Sequence, residues 1–464
     1  MESPRAETNT YHLIVTRRDA SEILLLPNGS GWAMPRVEIR AHQRLAEQLT
    51  GEVSRALGVE AYCLLIPSLS TCNRDGEPNC AVMESVQQKD GAPTGTFWVR
   101  RVAVDGCVEA SEARMVEDAI EELNTYAANE ETGRFARPGW LEELFRWTQE
   151  QTAPLGLRPT GAFRQLNASP TFSLIRLETD GGAVWFKATG EPNSHELRVT
   201  AALARLFPTS VPQILGVHHR WNGWLSAEVA GASLAQTADF SAWGHAAEAL
   251  AELQIFSIAK TAELLETAQL KDLRLPKLVE RIDPFMARMS ELMATQETRS
   301  PAPLVDSELR TLAEGLKESC ALLESFRLPN TLGHIDFNPG NILVFEDRCV
   351  FLDWAEACVA NPLLTFEYLR EHMTRSPIEK SAARECLIAA YLRPWASFYS
   401  PEELRRALAL SPLVAVFAYA VSNDSWRSLD LVRNPRHAGY LRSLARRMYR
   451  DAIRAAERSE LCLS

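Results

Sequence analysis

Gly333-His334-Ile335-Asp336-Phe337-Asn338-Pro339-Gly340-Asn341-Ile342-Leu343 is the stretch on which the reading of this 464-residue chain turns. It places His at i, Asp at i+2 and Asn at i+7. Nine histidines, with roughly a one-in-twenty chance at each other position, give about 0.02 accidental matches, so the spacing is informative. Two apolar runs follow, Ile342 to Phe345 and Cys349 to Leu352, which predict a short hairpin ending at Asp353-Trp354. Asn341 and Asp353 then stand at the two ends of that hairpin, where their hard oxygen donors can converge on one divalent cation. Taken singly, Asp336 and the Asn-Pro-Gly-Asn run make a turn, and Asp353 caps a helix. With the hairpin between them they make a site.

The spacing H-x-D-x-x-x-x-N is that of a kinase catalytic loop. Phosphoryl transfer concentrates negative charge on the triphosphate, which calls for metal-holding oxygens and a carboxylate near the attacking hydroxyl. The words LGHIDFNPGNIL and FLDWAEA make roughly residues 155–464 resemble the aminoglycoside phosphotransferase and choline kinase group of small-molecule kinases. The resemblance implies a two-lobed, protein-kinase-like fold, with a small β-rich lobe at 151–231 and a large helical lobe at 232–464. It also implies ATP and Mg²⁺ as cofactors, Asp336 as catalytic base, Asn341 and Asp353 as magnesium ligands, and His334 as a scaffold residue bracing the loop.

Upstream, Phe172 to Glu178 and Ala183 to Lys187 flank Thr-Asp-Gly-Gly and predict a hairpin. Lys187 closes its second strand, where the family places a phosphate-binding lysine; a lysine that merely solvates a strand edge is the alternative. Asn193-Ser194-His195-Glu196 opens an amphipathic helix, and Glu196 is either the partner of Lys187 or the N3 residue of a capping box. The phosphate-covering loop is expected at Arg164 to Thr171. It has no glycine, which leaves backbone N–H groups and the hydroxyls of Ser169 and Thr171 as contacts. Trp185 either stacks on the base or crowds it. Trp224 to Gly231 looks like the inter-lobe linker, with backbone groups from Ala227 to Val229 facing the adenine edge. Gln254 stands where the family commonly has His, and Asn361-Pro362-Leu363-Leu364-Thr365 replaces the more frequent Gly-x-Pro-x-x-Asp, so the family's structural Asp is missing.

Residues 1–150 alternate short strands and helices. Tyr11 to Thr16 and Glu22 to Leu26 predict a hairpin, and Leu45, Leu49, Val53 and Leu57 predict a helix ending at Gly58. Tyr62 to Ile66 and Thr96 to Val104 look like strands, followed by helices near Ser111 to Tyr126 and after Pro138. Residues 149–162 mix polar residues, prolines and glycines, and a domain boundary is placed there. The order hairpin, Gly31-Trp32-Ala33-Met34-Pro35 and the helix Gly51 to Val59 resembles a Nudix domain, an α/β fold. Of its box only Glu52, Val53, Gly58 and Val59 survive. Arg55 and Ala56 stand where metal-binding glutamates belong, so diphosphatase activity is expected to be lost.

Lys plus Arg is 49 against 60 for Asp plus Glu, a net charge of −11, which gives no general attraction to nucleic acid or anionic lipid. Neither is expected as a partner. Nine scattered cysteines without a CxxC pair, and an opening without a basic n-region and apolar stretch, lead us to expect a reduced, cytoplasmic protein. The apolar segment Ala407 to Val421 falls short of the ~20 residues of a membrane span and predicts a buried core helix. The expected activity is transfer of the ATP γ-phosphate to a hydroxyl of a small molecule: an amino sugar, a choline-like amine or a sugar. A non-catalytic nucleotide-binding sensor is the alternative. Glu356, Glu367 and Asp424 are candidates for the acceptor side, suggesting a cationic or polyhydroxylated acceptor.

Overall fold

Leu13, Ile14 and Val15 form an apolar run with no polar interruption, and all three are fully buried, as expected for a strand covered on both faces. The computed structural model describes residues 8–17, 20–29, 31–41, 43–67, 79–86, 92–237, 239–298, 300–346, 348–375 and 380–463. Arg18 and Asp19 of the expected first turn, and Cys72, lie outside the described residues. The chain forms two units, one of residues 1–197 and 213–228, the other of residues 198–212 and 229–464.

In the first unit, β1 (Thr8–Thr16), β2 (Glu22–Asn28), β3 (Gly31–Ala33), β4 (Arg36–Arg40), β5 (Ala61–Leu65), β6 (Asn79–Ser85) and β7 (Phe97–Arg100) share one sheet. The expected β1–β2 hairpin is reduced to the single pair Thr16↔Ile23. Instead β1 runs antiparallel to β4 and parallel to β6 over six pairs. Strand β6 escaped the sequence reading because its fully apolar stretch is only Cys80 to Met83. The stretch read as a strand at Thr96 to Val104 is strand only through Arg100 and then turns as a 3₁₀ helix. Among the described residues, three helices accompany the sheet: α1 (Leu45–Leu57), α2 (Ala110–Ala127) and α3 (Trp140–Thr152). Helix α1 buries Ala46, Leu49 and Val53 and ends at Gly58 in the left-handed conformation.

A second sheet in the same unit has the order β11-β12-β10-β9-β8, built from β8 (Pro159–Ala168), β9 (Ser173–Thr179), β10 (Gly182–Ala188), β11 (Ile214–His218) and β12 (Gly223–Ala227). The predicted hairpin is β9–β10. Along β10 burial alternates: Val184, Phe186 and Ala188 are buried, whereas Trp185 and Lys187 are half-buried on the opposite face. The buried face joins the core of the preceding segment. Phe135 lies 4.9 Å from Trp140, 6.1 Å from Phe186 and 6.0 Å from Trp221, ring centroid to centroid. Gln165, fully buried on β8, accepts from the Cys63 N–H at 2.7 Å and donates to the Cys63 carbonyl at 3.1 Å. One face of the first sheet and the second sheet therefore share a core, while the face under α1 has its own.

The second unit is mainly helical, with α5 (Phe240–Ser257), α6 (Leu275–Ala294), α7 (Asp306–Ser325), α8 (Pro362–Arg375), α9 (Lys380–Trp395), α10 (Pro401–Val421) and α11 (Pro435–Leu463) around one core. Among them sit β13 (Ala232–Ser233), β14 (Lys271–Leu273), β15 (Thr331–His334), β16 (Ile342–Phe345), β17 (Arg348–Phe351) and β18 (Ala357–Ala360). Helix α10 is long and apolar enough to cross a membrane by length and composition, but 67% of its most apolar window is buried inside the unit, with Leu413, Val414 and Phe417 in the core. Pro412 does not break it. Cys63, Cys320, Cys349 and Cys358 are buried, and burial pushes each thiol up to about 12, so they stay protonated packing groups.

Replacing Gln165 by Ala leaves the Cys63 N–H and carbonyl buried without partners. We expect a loss of about 1–3 kcal/mol of unfolding free energy, read as a lower urea midpoint at unchanged slope. An unaltered midpoint would mean that these bonds do not hold the two sheets together.

Candidate active site

Strand β15 ends at His334, and the chain then turns through Asp336 to a short 3₁₀ turn at Pro339–Asn341 that feeds β16. The predicted hairpin is β16–β17, with Ile342↔Phe351 and Phe345↔Arg348 as its outer pairs. Its open end brings Asn341 and Leu352 together, the Leu352 N–H donating to the Asn341 carbonyl at 2.8 Å. Asp353 follows at φ 61°, ψ 61°, a left-handed conformation rare for a residue with a side chain. Asp336 and Asp353 are exposed and Asn341 is half-buried.

The His334 ring lies beneath them and is almost wholly buried. Its Nε2 is 2.7 Å from the Asp353 carbonyl, and its Nδ1 accepts from the Asp336 N–H at 3.2 Å. A carbonyl can only accept, so Nε2 carries the proton and Nδ1 is the lone pair: the ring is neutral. Burial holds the imidazole below its ordinary 6.5, outweighing the upward pull of Asp353, Asp336 and Glu356. One neutral ring thus ties the carboxylate-bearing turn to the residue closing the hairpin.

The residues around this ring are fixed in turn. The His334 N–H donates to Thr365 Oγ1 at 2.9 Å, and a Cβ on Gly333 would lie 2.9 Å from both Thr365 Oγ1 and Cys358 Sγ, so only glycine permits that approach. Thr365 occupies the last place of the Asn361–Thr365 stretch, where the family pattern has Asp, and its hydroxyl supplies the acceptor. Gln254, fully buried, donates to the Pro362 carbonyl at 2.9 Å and accepts from the Tyr391 hydroxyl at 2.7 Å. Ser257 Oγ accepts from the Leu332 N–H at 2.8 Å. Gly231, at φ 130°, lets β13 meet β16; a Cβ there would be 2.6 Å from the Val344 carbonyl oxygen. Of these braces Gln254 and the Asn361–Thr365 stretch drew notice in the sequence as departures, and Gly231 as the end of the linker. Their hydrogen bonds are long-range and leave no local signature.

In the first unit, Lys187 on β10 lies with Nζ 2.5 Å from Oε1 of Glu196, the first residue of α4 (Glu196–Leu206). The Lys187 side chain is 16% exposed and that of Glu196 2%, so the pair is largely withdrawn from water. Lys187 Nζ also lies 5.7 Å from the Trp224 ring centroid. Of the two sequence alternatives for Glu196, the structure makes it the partner of Lys187. Trp185 hydrogen-bonds to Glu228, which Arg176 grips at 2.7 and 3.0 Å; these contacts, Arg176 first, hold the Glu228 carboxyl below its ordinary range.

The stretch expected as a phosphate-covering loop is strand as far as Ala168. Only Ser169 to Phe172 turn. Ser169 Oγ accepts from the Phe172 N–H at 3.0 Å, the Phe135 N–H donates to the Pro170 carbonyl at 3.0 Å, and Thr171 packs against Gly190. The Ser169 oxygen thus accepts one bond within the turn, and its O–H remains a donor. At the linker, the Ala227 N–H donates to the Gln213 carbonyl and the Glu228 N–H to the Ala183 carbonyl; Val229 is the first residue of the second unit here. Of the acceptor-side candidates, Glu356 pairs with Lys271 at 2.5 Å and Glu367 is buried against Arg370, so neither presents a free carboxylate. Asp424 sits exposed in the 3₁₀ turn Asp424–Trp426.

Among the described residues, no group of three or more His, Cys, Asp or Glu side chains could hold a metal by itself. Asn341 and Asp353, at the open end of the β16–β17 hairpin, each carry a hard oxygen donor.

Residues 188–397 match the phosphotransferase enzyme family, APH. Among solved structures, the chain is similar to a choline/ethanolamine kinase family protein from Mesorhizobium loti (16% identity, TM-score 0.44, covering 67% of this chain and 98% of that one). It is also similar to choline kinase from Cryptosporidium parvum (13%, TM-score 0.44, 64% and 90%) and to an aminoglycoside 2′-phosphotransferase solved with GDP (15%, TM-score 0.44, 66% and 98%). No curated protein matches the chain.

The buried ring gives a pH signature. Because His334 titrates lower in the folded chain than in the unfolded one, the stability it contributes is fully present above about pH 6.5 and is lost as pH falls toward the folded value. We expect the stability gap between wild type and His334→Asn to narrow from about pH 7.5 to about pH 5.5 in urea unfolding. A gap that widens on acidification would mean that the ring is held as imidazolium.

Proposed function

We propose that the chain is a small-molecule kinase that moves the γ-phosphate of ATP to a hydroxyl of an amino sugar, choline-like amine or sugar, with Mg²⁺ as cofactor. The observation that carries this reading is the single buried imidazole joining the Asp336 turn to Asp353 beside Asn341, together with the family match over residues 188–397. In this reading Asp336, exposed and held through its own N–H, aligns the acceptor hydroxyl and takes its proton as the oxygen attacks phosphorus. Asn341 and Asp353 would hold Mg²⁺, which neutralises charge on the phosphates. Lys187, kept in place by Glu196, would orient those phosphates as a point charge, with Ser169 and Thr171 at the neighbouring turn and backbone groups of Ala227 and Val229 toward the base. Most of the rate would come from positioning and charge neutralisation.

A non-catalytic nucleotide sensor is the rival. It is favoured by the glycine-free loop Arg164 to Thr171 and by Trp185, half-buried on the same face of β10 as Lys187. A sensor has no need of Asp336. For residues 1–150 we propose a degenerate Nudix-like domain without hydrolase chemistry. Glu52 is ion-paired to Arg55 and Glu47 to Arg164 at 3.1 Å, so the box helix offers carboxylates already neutralised by arginine. With the shared aromatic core, this supports a domain that shapes the sheet bearing Lys187.

Asp336→Ala should abolish phosphoryl transfer yet leave Mg·ATP affinity nearly unchanged, whereas Asp353→Ala should weaken that affinity directly. Lys187→Met should cost about 1–3 kcal/mol of nucleotide binding, the range for a charged hydrogen bond. Calorimetry with magnesium present separates them: equal loss of nucleotide affinity in the two aspartate variants would refute the division of roles.

A further inference from the structure

In the second unit, α8, α10 and α11 enclose a cleft of about 610 Å³, large enough for a metabolite-sized molecule. None of Asp336, Asn341 and Asp353 lines it. Its lining is dominated by charge, five arginines against three carboxylates. Every carboxylate is already matched: Glu367 with Arg370, Glu371 with Arg447 at 2.6 Å, and Asp451 with Arg454 and Arg447. Arg384 and Arg450 remain. They reach the cleft from α9 and α11, and neither makes a hydrogen bond or ion pair with another described residue.

In a chain of net charge −11, the lining of this cleft carries two more cations than carboxylates. Guanidinium groups present paired donors that fit phosphate oxygens in a bidentate manner, and two of them balance a dianion. We propose that this cleft is a binding site for a small organic phosphate, held at its rim by Arg384 and Arg450 over a floor of paired charges. The floor pairs supply a fixed polar surface, and the rim supplies the unbalanced charge.

The test uses the full chain and inorganic pyrophosphate, titrated by calorimetry without magnesium. We expect saturable binding that weakens at least tenfold in the Arg384→Gln/Arg450→Gln double variant and persists in Lys187→Met. Both arginines are exposed, so the double variant should keep the wild-type melting temperature without ligand. Should it melt early, the Arg384→Lys/Arg450→Lys pair serves instead, which keeps the charge but loses the fork and should bind with intermediate affinity. Undiminished binding in the double variant, or loss in Lys187→Met instead, would place the anion elsewhere and overturn the proposal. So would the lack of saturable binding to the wild type at millimolar pyrophosphate.

Discussion

One uncharged imidazole organises the candidate site. His334 donates to the Asp353 carbonyl through Nε2 and accepts the Asp336 N–H through Nδ1, so a single ring fixes two backbone segments 17 residues apart in sequence. Both bonds require the neutral tautomer, and burial enforces it. The left-handed backbone at Asp353 depends on this anchoring: the conformation is costly for aspartate and persists only where its surroundings over-determine it. The ring is kept in place by Thr365 on its backbone N–H, and Gly333 makes room for that contact. Gln254 and Tyr391 then fix the start of the helix that carries Thr365.

The first unit obeys a comparable constraint. Strand β10 has two faces with different tasks. Val184, Phe186 and Ala188 are sunk in an aromatic core with Phe135, Trp140 and Trp221, and this pins the strand. Lys187 on the other face can then hold an ammonium beside a nearly buried carboxylate. A paired charge withdrawn from water is tolerated only with good geometry, because desolvation of both ions must be offset by their contact. The N-terminal residues thus supply most of the core on which the lysine strand rests.

Much of this was legible in the chain because the signals are local. The apolar runs on either side of Glu346, the Thr-Asp-Gly-Gly turn and the apolar stretch of α10 each declare themselves within a dozen residues, and each forms the expected element. What was not legible depends on partners far along the chain. Strand β6, parallel to β1 and antiparallel to β5, has only four fully apolar residues, so it stands out only once β1 is beside it. The β1–β2 pairing was overestimated because adjacent runs in sequence suggest a hairpin, whereas β4 and β6 are the better partners. Thr365 and Gln254 looked like losses against the family pattern. Their hydroxyl and amide groups supply the hydrogen bonds there, and only the fold reveals it. Gln165 gave no signal at all, since a glutamine on a strand reads as surface until its amide is seen on the Cys63 backbone.

The central claim is that these two constructions serve phosphoryl transfer to a small-molecule hydroxyl. Its most direct test is to incubate the purified full chain with magnesium and γ-labelled ATP against a panel of amino sugars, choline-like amines and neutral sugars, following label into organic product by mass spectrometry. The account predicts label on the hydroxyl oxygen of at least one acceptor, at a rate abolished by Asp336→Ala. Tight ATP binding with no labelled product from any acceptor, unchanged by Asp336→Ala, would contradict it and leave a nucleotide sensor in its place.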